Sequence, residues 1–328
     1  MRKFFFIIPA LWLLVGTLLP ARTCGEVKVT VGFWNVENLF DTIPSLFHDD
    51  RNYTPGGLYR WGAERYGQKL RNLARVIDAM ALDVLGLAEV EGEAALRDLV
   101  TILGTDYNWI YRTTRDYRGI NVVLLYKGDK FIPSEIRQIP SPARREFLYV
   151  RGELAGERVD LVVCHLPSQM NTHDLRVKAV GALYAFADSL RRADREARLI
   201  IMGDFNADPS ERVMRRHFHT GNRATNDARF LFSPLYHFYK SGYGSYVYRD
   251  RWHLYDNIFL SNSFNAEGGR LRYAHSGIFL RDWMLADGST VLRRGYPLRT
   301  FSGGVYLGGY SDHLPVWVEF RQELNKLP

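Results

Sequence analysis

Leu199-Ile200-Ile201-Met202-Gly203-Asp204-Phe205-Asn206-Ala207-Asp208-Pro209 joins an apolar run of strand length to a glycine, a carboxylate and an amide. Side chains alternate along an extended chain, so Asp204 and Asn206 fall on one side and Phe205 on the other. Asp208-Pro209 ends the strand, because Asp favours turns and proline cannot donate to a ladder. Taken alone, the stretch reads equally well as a plain strand followed by a polar turn. The case for a site rests on other strands of the chain that finish in the same manner.

Glu26 to Trp34 predicts a first strand that runs into Asn35-Val36-Glu37-Asn38. Asp83 to Glu91 predicts a buried strand with Glu89 at its tip. Between them, residues 41–62 have no period and read as a long loop. Leu70, Leu73, Ala74, Ile77 and Met80 recur at helical spacing and predict a helix over 64–80. A short helix is expected over 93–103 and a longer amphipathic one over 174–191. Strands are expected over 109–111, 120–126, 131–139, 146–154 and 159–164, the last ending at His165. Asp256 sits in a strand over 254–260, whereas 262–310 is Gly- and Arg-rich and reads as surface loops and hairpins. Ser311-Asp312-His313 precedes a closing strand. Strands outnumber helices, so the expected fold is α/β: two packed, mostly antiparallel sheets flanked by helices.

Arg2-Lys3, the apolar run Phe4 to Leu19 and Pro20-Ala21-Arg22-Thr23 have the form of an export signal over residues 1–23. The run is short for a membrane span, so cleavage is expected, with one domain over 24–328. Cys24 leaves open a lipoprotein signal, in which that cysteine carries the lipid and anchors the protein to a membrane. The expected location is periplasmic, outer-membrane-associated or secreted. Cys164, the other cysteine, lies in an apolar strand and is expected to be a buried thiol. The formal net charge is +7, and three of those charges (Arg2, Lys3, Arg22) belong to the leader, which leaves a mildly basic +4. That permits a polyanionic partner without requiring one.

If the strand ends converge, they gather carboxylates, amides and two histidines. Oxygen donors of this kind suit a hard divalent ion, Mg²⁺, Mn²⁺ or Ca²⁺, better than zinc. Histidines beside such an ion supply acid–base chemistry, and the combination suits phosphoester hydrolysis.

Asn35-Val36-Glu37, Glu89-Val90, His165, Gly203-Asp204-Phe205-Asn206, Asp256 and Ser311-Asp312-His313 occur in an order that resembles the endonuclease/exonuclease/phosphatase superfamily. The resemblance implies a four-layered α/β/β/α sandwich and an exported bacterial member. It implies that Glu89 is the principal metal ligand with Asn35 beside it, Glu37 near a second ion, and Asp312 on the metal side. It implies that Asp204 and Asn206 hold the attacking water and a phosphate oxygen. His313 is implied to activate water or stabilise the transition state, Asp256 to orient it, and His165 to contact the phosphate or protonate the leaving group. Arg118 and Asn121 match positions that contact phosphate. The expected activity is an extracytoplasmic endonuclease or phosphodiesterase, a monomer acting on nucleic acid. The alternatives are a sphingomyelinase-like or inositol- or sugar-phosphate phosphatase, and a non-catalytic binding protein on the same scaffold. His48 and His253 match no motif and read as surface or packing residues.

Overall fold

The computed structural model describes residues 26–221, 230–265 and 271–323. The leader and Cys24 lie outside them. Among the described residues no helix is long and apolar enough to cross a membrane.

The chain begins with β1 (Glu26–Leu39), α1 (Ala63–Met80), β2 (Val84–Val90), α2 (Glu93–Thr101), β3 (Asn108–Tyr111) and β4 (Asn121–Tyr126). It continues through β5 (Phe131–Ile139), β6 (Phe147–Leu154), β7 (Glu157–His165), α3 (His173–Ala193), β8 (Leu199–Asp204) and α4 (Arg212–His217). Two short strands, β9 (Thr220–Gly221) and β10 (Leu231–Phe232), lead to α5 (Tyr236–Lys240) and the hairpin β11 (Tyr246–Tyr248)–β12 (Arg251–His253). The last part holds β13 (Asp256–Leu260), β14 (Leu271–Ile278), the hairpin β15 (Phe301–Ser302)–β16 (Val305–Tyr306) and β17 (Val316–Glu323).

One sheet has the order β14-β17-β1-β2-β4-β3 and the other β5-β6-β7-β8-β13-β10-β9. Val31, Phe33, Leu124, Val163, Met202 and Val318 pack between the sheets. Leu73 and Ile77 of α1 cover the first sheet with Leu85 and Leu87, and Leu183 and Ala187 of α3 cover the second with Val162 and Ile201. The four layers therefore follow from strands that are apolar on both faces and helices that are apolar on one. The expected sandwich is what forms, and among the described residues only the pairs β1–β2, β7–β8 and β9–β10 are parallel.

One expectation is corrected. Residues 271–278, read as part of surface loops and hairpins, form a strand paired with β17, with one register shift between Tyr273 and His275. Only Leu271 and Gly277 of that strand are fully buried, so its sequence lacks the apolar alternation that marks a half-buried strand.

Gly203 shows how closely the second sheet is packed behind the site. A Cβ there would lie 2.2 Å from the Cys164 carbonyl oxygen and 2.4 Å from its Sγ. Gly203→Ala is therefore expected to destabilise the fold by roughly 1–3 kcal/mol or more, because the obstacle is backbone that cannot move aside. A denaturation midpoint within error of the parent would contradict this.

Candidate active site

β7 and β8 run parallel and β13 runs against β8, and this sets three polar groups on a single rung. His165 pairs with Asp204, and Asp204 pairs with Asp256. From the facing sheet, β1 brings Asn35, whose Nδ2 donates to Asp204 Oδ2 at 3.1 Å. β2 brings Glu89, whose Oε1 lies 3.8 Å from His165 Nε2. The segment before β17 brings His313, whose Nδ1 donates to Asp256 Oδ2 at 2.6 Å and whose Nε2 lies 3.9 Å from both Asp204 and Asp312. Side chains from both sheets thus meet at one mouth of the sandwich.

The backbone bends to aim them. Register slips in β1 between Asn35 and Leu39 and in β2 between Ala88 and Val90 mark bulges. Glu37, Asn38, Glu89 and Asn206 all hold left-handed φ values, from 47° to 66°. Non-glycine residues adopt this region at a cost of about 1 kcal/mol or more each, and such strain concentrates at functional sites. Glu89 Oε2 accepts from Asn38 N–H at 3.0 Å, so the two bulges brace each other. Ser311 Oγ donates to the Asn35 carbonyl at 2.7 Å and accepts from His313 N–H, while Trp34 Nε1 donates to the His313 carbonyl. Asn206 N–H donates to Asp204 Oδ1 and its Nδ2 to the Leu166 carbonyl.

Burial and neighbouring charge set the protonation states. Burial pushes Asp204 up to about 7, with Asp256 adding to it. Burial alone would lower His313, but Asp256, Asp312 and Asp204 outweigh it and hold its pKa at about 10, so the ring is an imidazolium at neutral pH. His165 goes the other way: burial, with Arg145 and Arg118 nearby, keeps it well below the usual range and neutral. Arg145 Nη1 lies 3.0 Å from His165 Nε2 and can only donate. The Nε2 is therefore an acceptor and the proton sits on Nδ1.

These shifts have a signed consequence for the metal-free protein. Above pH 6.5, His165 is neutral folded or unfolded, whereas His313 keeps its proton only when folded. A histidine whose folded pKa is raised contributes stability that is complete below about 6.5 and is lost as pH climbs towards the folded value. Asp204, also raised, acts in the same direction up to about 7. Between pH 6.5 and 8 the stability of the EDTA-treated protein should fall by roughly 1 kcal/mol per pH unit for each such proton. A saturating divalent ion should flatten that slope. Thermal unfolding with and without metal across this window is the check, and a stability that rises with pH would refute it.

Hard oxygen donors from Asn35, Glu89, Asp204, Asp256 and Asp312 surround two imidazoles. Asp256 Oδ1 is buried with no hydrogen-bond partner among the described residues, and carboxylate oxygens of Asp204 and Asp256 and a ring nitrogen of His313 lie within 4.8 Å of one another. This concentration of negative charge fits a hard divalent cation.

Two expected site residues have other work. Glu37, expected near a second ion, accepts from Thr300 N–H at 2.6 Å and from Arg299 Nε at 3.3 Å, so its oxygens tie the 297–310 loop to β1. Asn121, expected to contact phosphate, is buried. Its Oδ1 accepts from Thr114 N–H and its Nδ2 from there faces the carbonyls of Val90, Glu91 and Gly119. It pegs the 112–120 loop, and no donor is left for a ligand. Arg118 lies beside the site with Nη1 3.4 Å from Asn38 Oδ1. Arg145, Arg299, Lys69 and Tyr246 carried no motif. Arg299 Nη2 donates to Asp312 Oδ2 at 2.7 Å, and the Tyr246 ring lies 4.6 Å from that of His313. Lys69, lowered to about 8 by burial, donates to Thr300 and to the Tyr310 carbonyl. His48 and His253 are pins: the first bonds Glu91 at 2.9 Å, the second Asp208 at 2.8 Å.

A model of the endonuclease/exonuclease/phosphatase family matches residues 30–322. No curated protein matches the chain. Among solved structures, a humanized D. rerio TDP2 superposes with a TM-score of 0.58 at 16% identity, covering 89% of this chain and 98% of that one. A Bacteroides thetaiotaomicron mannosyl-6-phosphatase gives 0.55 at 16% over 89% and 99%. The human Nocturnin catalytic domain gives 0.56 at 16% over 90% and 96%. At these identities the likeness is one of fold.

Proposed function

The chain belongs to the endonuclease/exonuclease/phosphatase family and is a metal-dependent phosphoester hydrolase, and from that premise we propose that it cleaves phosphodiester bonds in nucleic acid with Mg²⁺. The observation that carries the reading is the meeting of Glu89, Asp204, His165 and the His313–Asp256 pair at one mouth. Exposed Arg144, next to the Arg145 that bonds His165, favours a polyanion. The leader over residues 1–23 supports an exported protein, processed before or at Cys24.

In this reading Glu89, Asn35 and Asp312 hold the ion, with Mn²⁺ or Ca²⁺ able to substitute. An ion held there would supply neutralisation of the charge that develops on the phosphoryl oxygens. Asp204, poised near 7, accepts the proton of a water that Asn206 helps to orient. The His313 imidazolium, aligned by Asp256, faces the phosphoryl oxygens and stabilises the transition state. His165 lines the phosphate site beside Arg145; its Nε2 has no proton to give while Arg145 donates to it, so the leaving oxygen, freed as the P–O bond opposite the attacking water breaks, takes its proton from solvent.

The test is release of product from DNA, RNA, sphingomyelin, and sugar and inositol phosphates, each with Mg²⁺ and with EDTA. Metal-dependent cleavage of nucleic acid is expected. Turnover confined to lipid or phosphomonoesters would overturn the substrate, and binding without turnover would make this a binding protein.

A further inference from the structure

Beside His165 lies a cavity of about 160 Å³ lined by Asp116, Tyr117, Arg144, Arg145, Pro167 and Asn171. Arg145 is the wall it shares with the active site, since this side chain lines the cavity and also donates to His165 at 3.0 Å. Its guanidinium is fixed from behind, with Nε 2.7 Å from Asp116 Oδ2. Asp116 is the one carboxylate in the lining, and both its oxygens are engaged, the second by Arg118 N–H at 2.9 Å. Arg144 precedes Arg145 in a turn closed by its N–H on the Ser141 carbonyl, with φ at 57°. That turn places two consecutive arginines in the lining of one cavity, and among the described residues Arg144 forms no ion pair. With Asp116 offsetting Arg145 and the Asn171 amide turned to Ser168, Arg144 is the lining's unoffset positive charge, beside the largely exposed Tyr117 ring.

We propose that this cavity is a second anion subsite, which takes a phosphate of the substrate adjacent to the one being cleaved. The proposal rests on the hydrolase reading above. Guanidinium pairs suit phosphate because their forked donors match its oxygens. The phosphate has two sources, the next phosphate of a polynucleotide or the second phosphate of a small bisphosphate.

Two measurements test it. The first is the ratio of kcat/KM for a substrate with a neighbouring phosphate to that for thymidine 5′-p-nitrophenyl phosphate, which has none. The neighbouring-phosphate substrates are a single-stranded oligonucleotide and a 3′-phosphorylated form of the same ester. Arg144→Ala should lower the ratio at least tenfold and Arg144→Lys should restore part of it. A drop for both substrates points to phosphate from either source, and one confined to the oligonucleotide points to the polymer. The second is binding of thymidine 3′,5′-bisphosphate to the full chain in EDTA, expected to weaken about tenfold in Arg144→Ala. Unchanged ratio and unchanged binding would overturn the subsite. If the parent hydrolyses nothing, the hydrolase reading fails, and the bisphosphate titration still decides the subsite by itself.

Discussion

His313→Ala should lower turnover at least about a hundredfold, as loss of a positioned acid–base or electrostatic group does. The same substitution should also weaken the fold, because Asp256 is fully buried and His313 Nδ1 is the partner of its Oδ2. Leaving a buried carboxylate without its partner costs about 3–5 kcal/mol. The two effects are separable. Adding Asp256→Asn removes the stranded charge, so the double variant should regain most of the lost stability and none of the lost activity. Steady-state kinetics beside denaturant unfolding on the parent, both single variants and the double one would show this. Turnover of His313→Ala comparable to the parent would remove His313 from the chemistry.

The second large effect is expected at Glu89. Glu89→Gln keeps the shape and an oxygen to accept from Asn38 N–H, but removes the charge. Loss of an outer partner of a metal ligand typically costs 10–100-fold, and loss of the principal ligand should cost more in turnover. The direct readout is the metal itself: the rise in melting temperature on adding Mg²⁺ should largely vanish. A variant whose melting temperature still climbs with Mg²⁺ as the parent's does would assign the ion to other residues.

Much of this was legible because the site is built from strand ends. Asp204 and Asn206 follow an apolar run, and Glu89 ends another; a polar group at the tip of a buried strand stands out in a one-dimensional pattern. The layers followed for the same reason. What the pattern could not carry was partnership over distance. Glu37 is an acid in the right place, yet Arg299 and the Thr300 amide, far along the chain, claim its oxygens. Asn121 follows Arg118 closely, yet its amide turns inward to carbonyls of the β2 end. Arg145 and Lys69 sit in segments without a motif and matter only through what folding brings beside them. The strand at 271–278 escaped because an edge strand with few buried side chains has little apolar period to display.

β1 and β17 lie side by side along eight residues, from Glu26 opposite Glu323 to Phe33 opposite Val316. The first described strand therefore waits for the last, and its edge towards β17 stays open until residues 316–323 have been made. Such non-local closure is slow and leaves the nascent chain exposed to aggregation. Removing residues 317–328 would take β17 from between β14 and β1, and so release β14 as well rather than trim a margin.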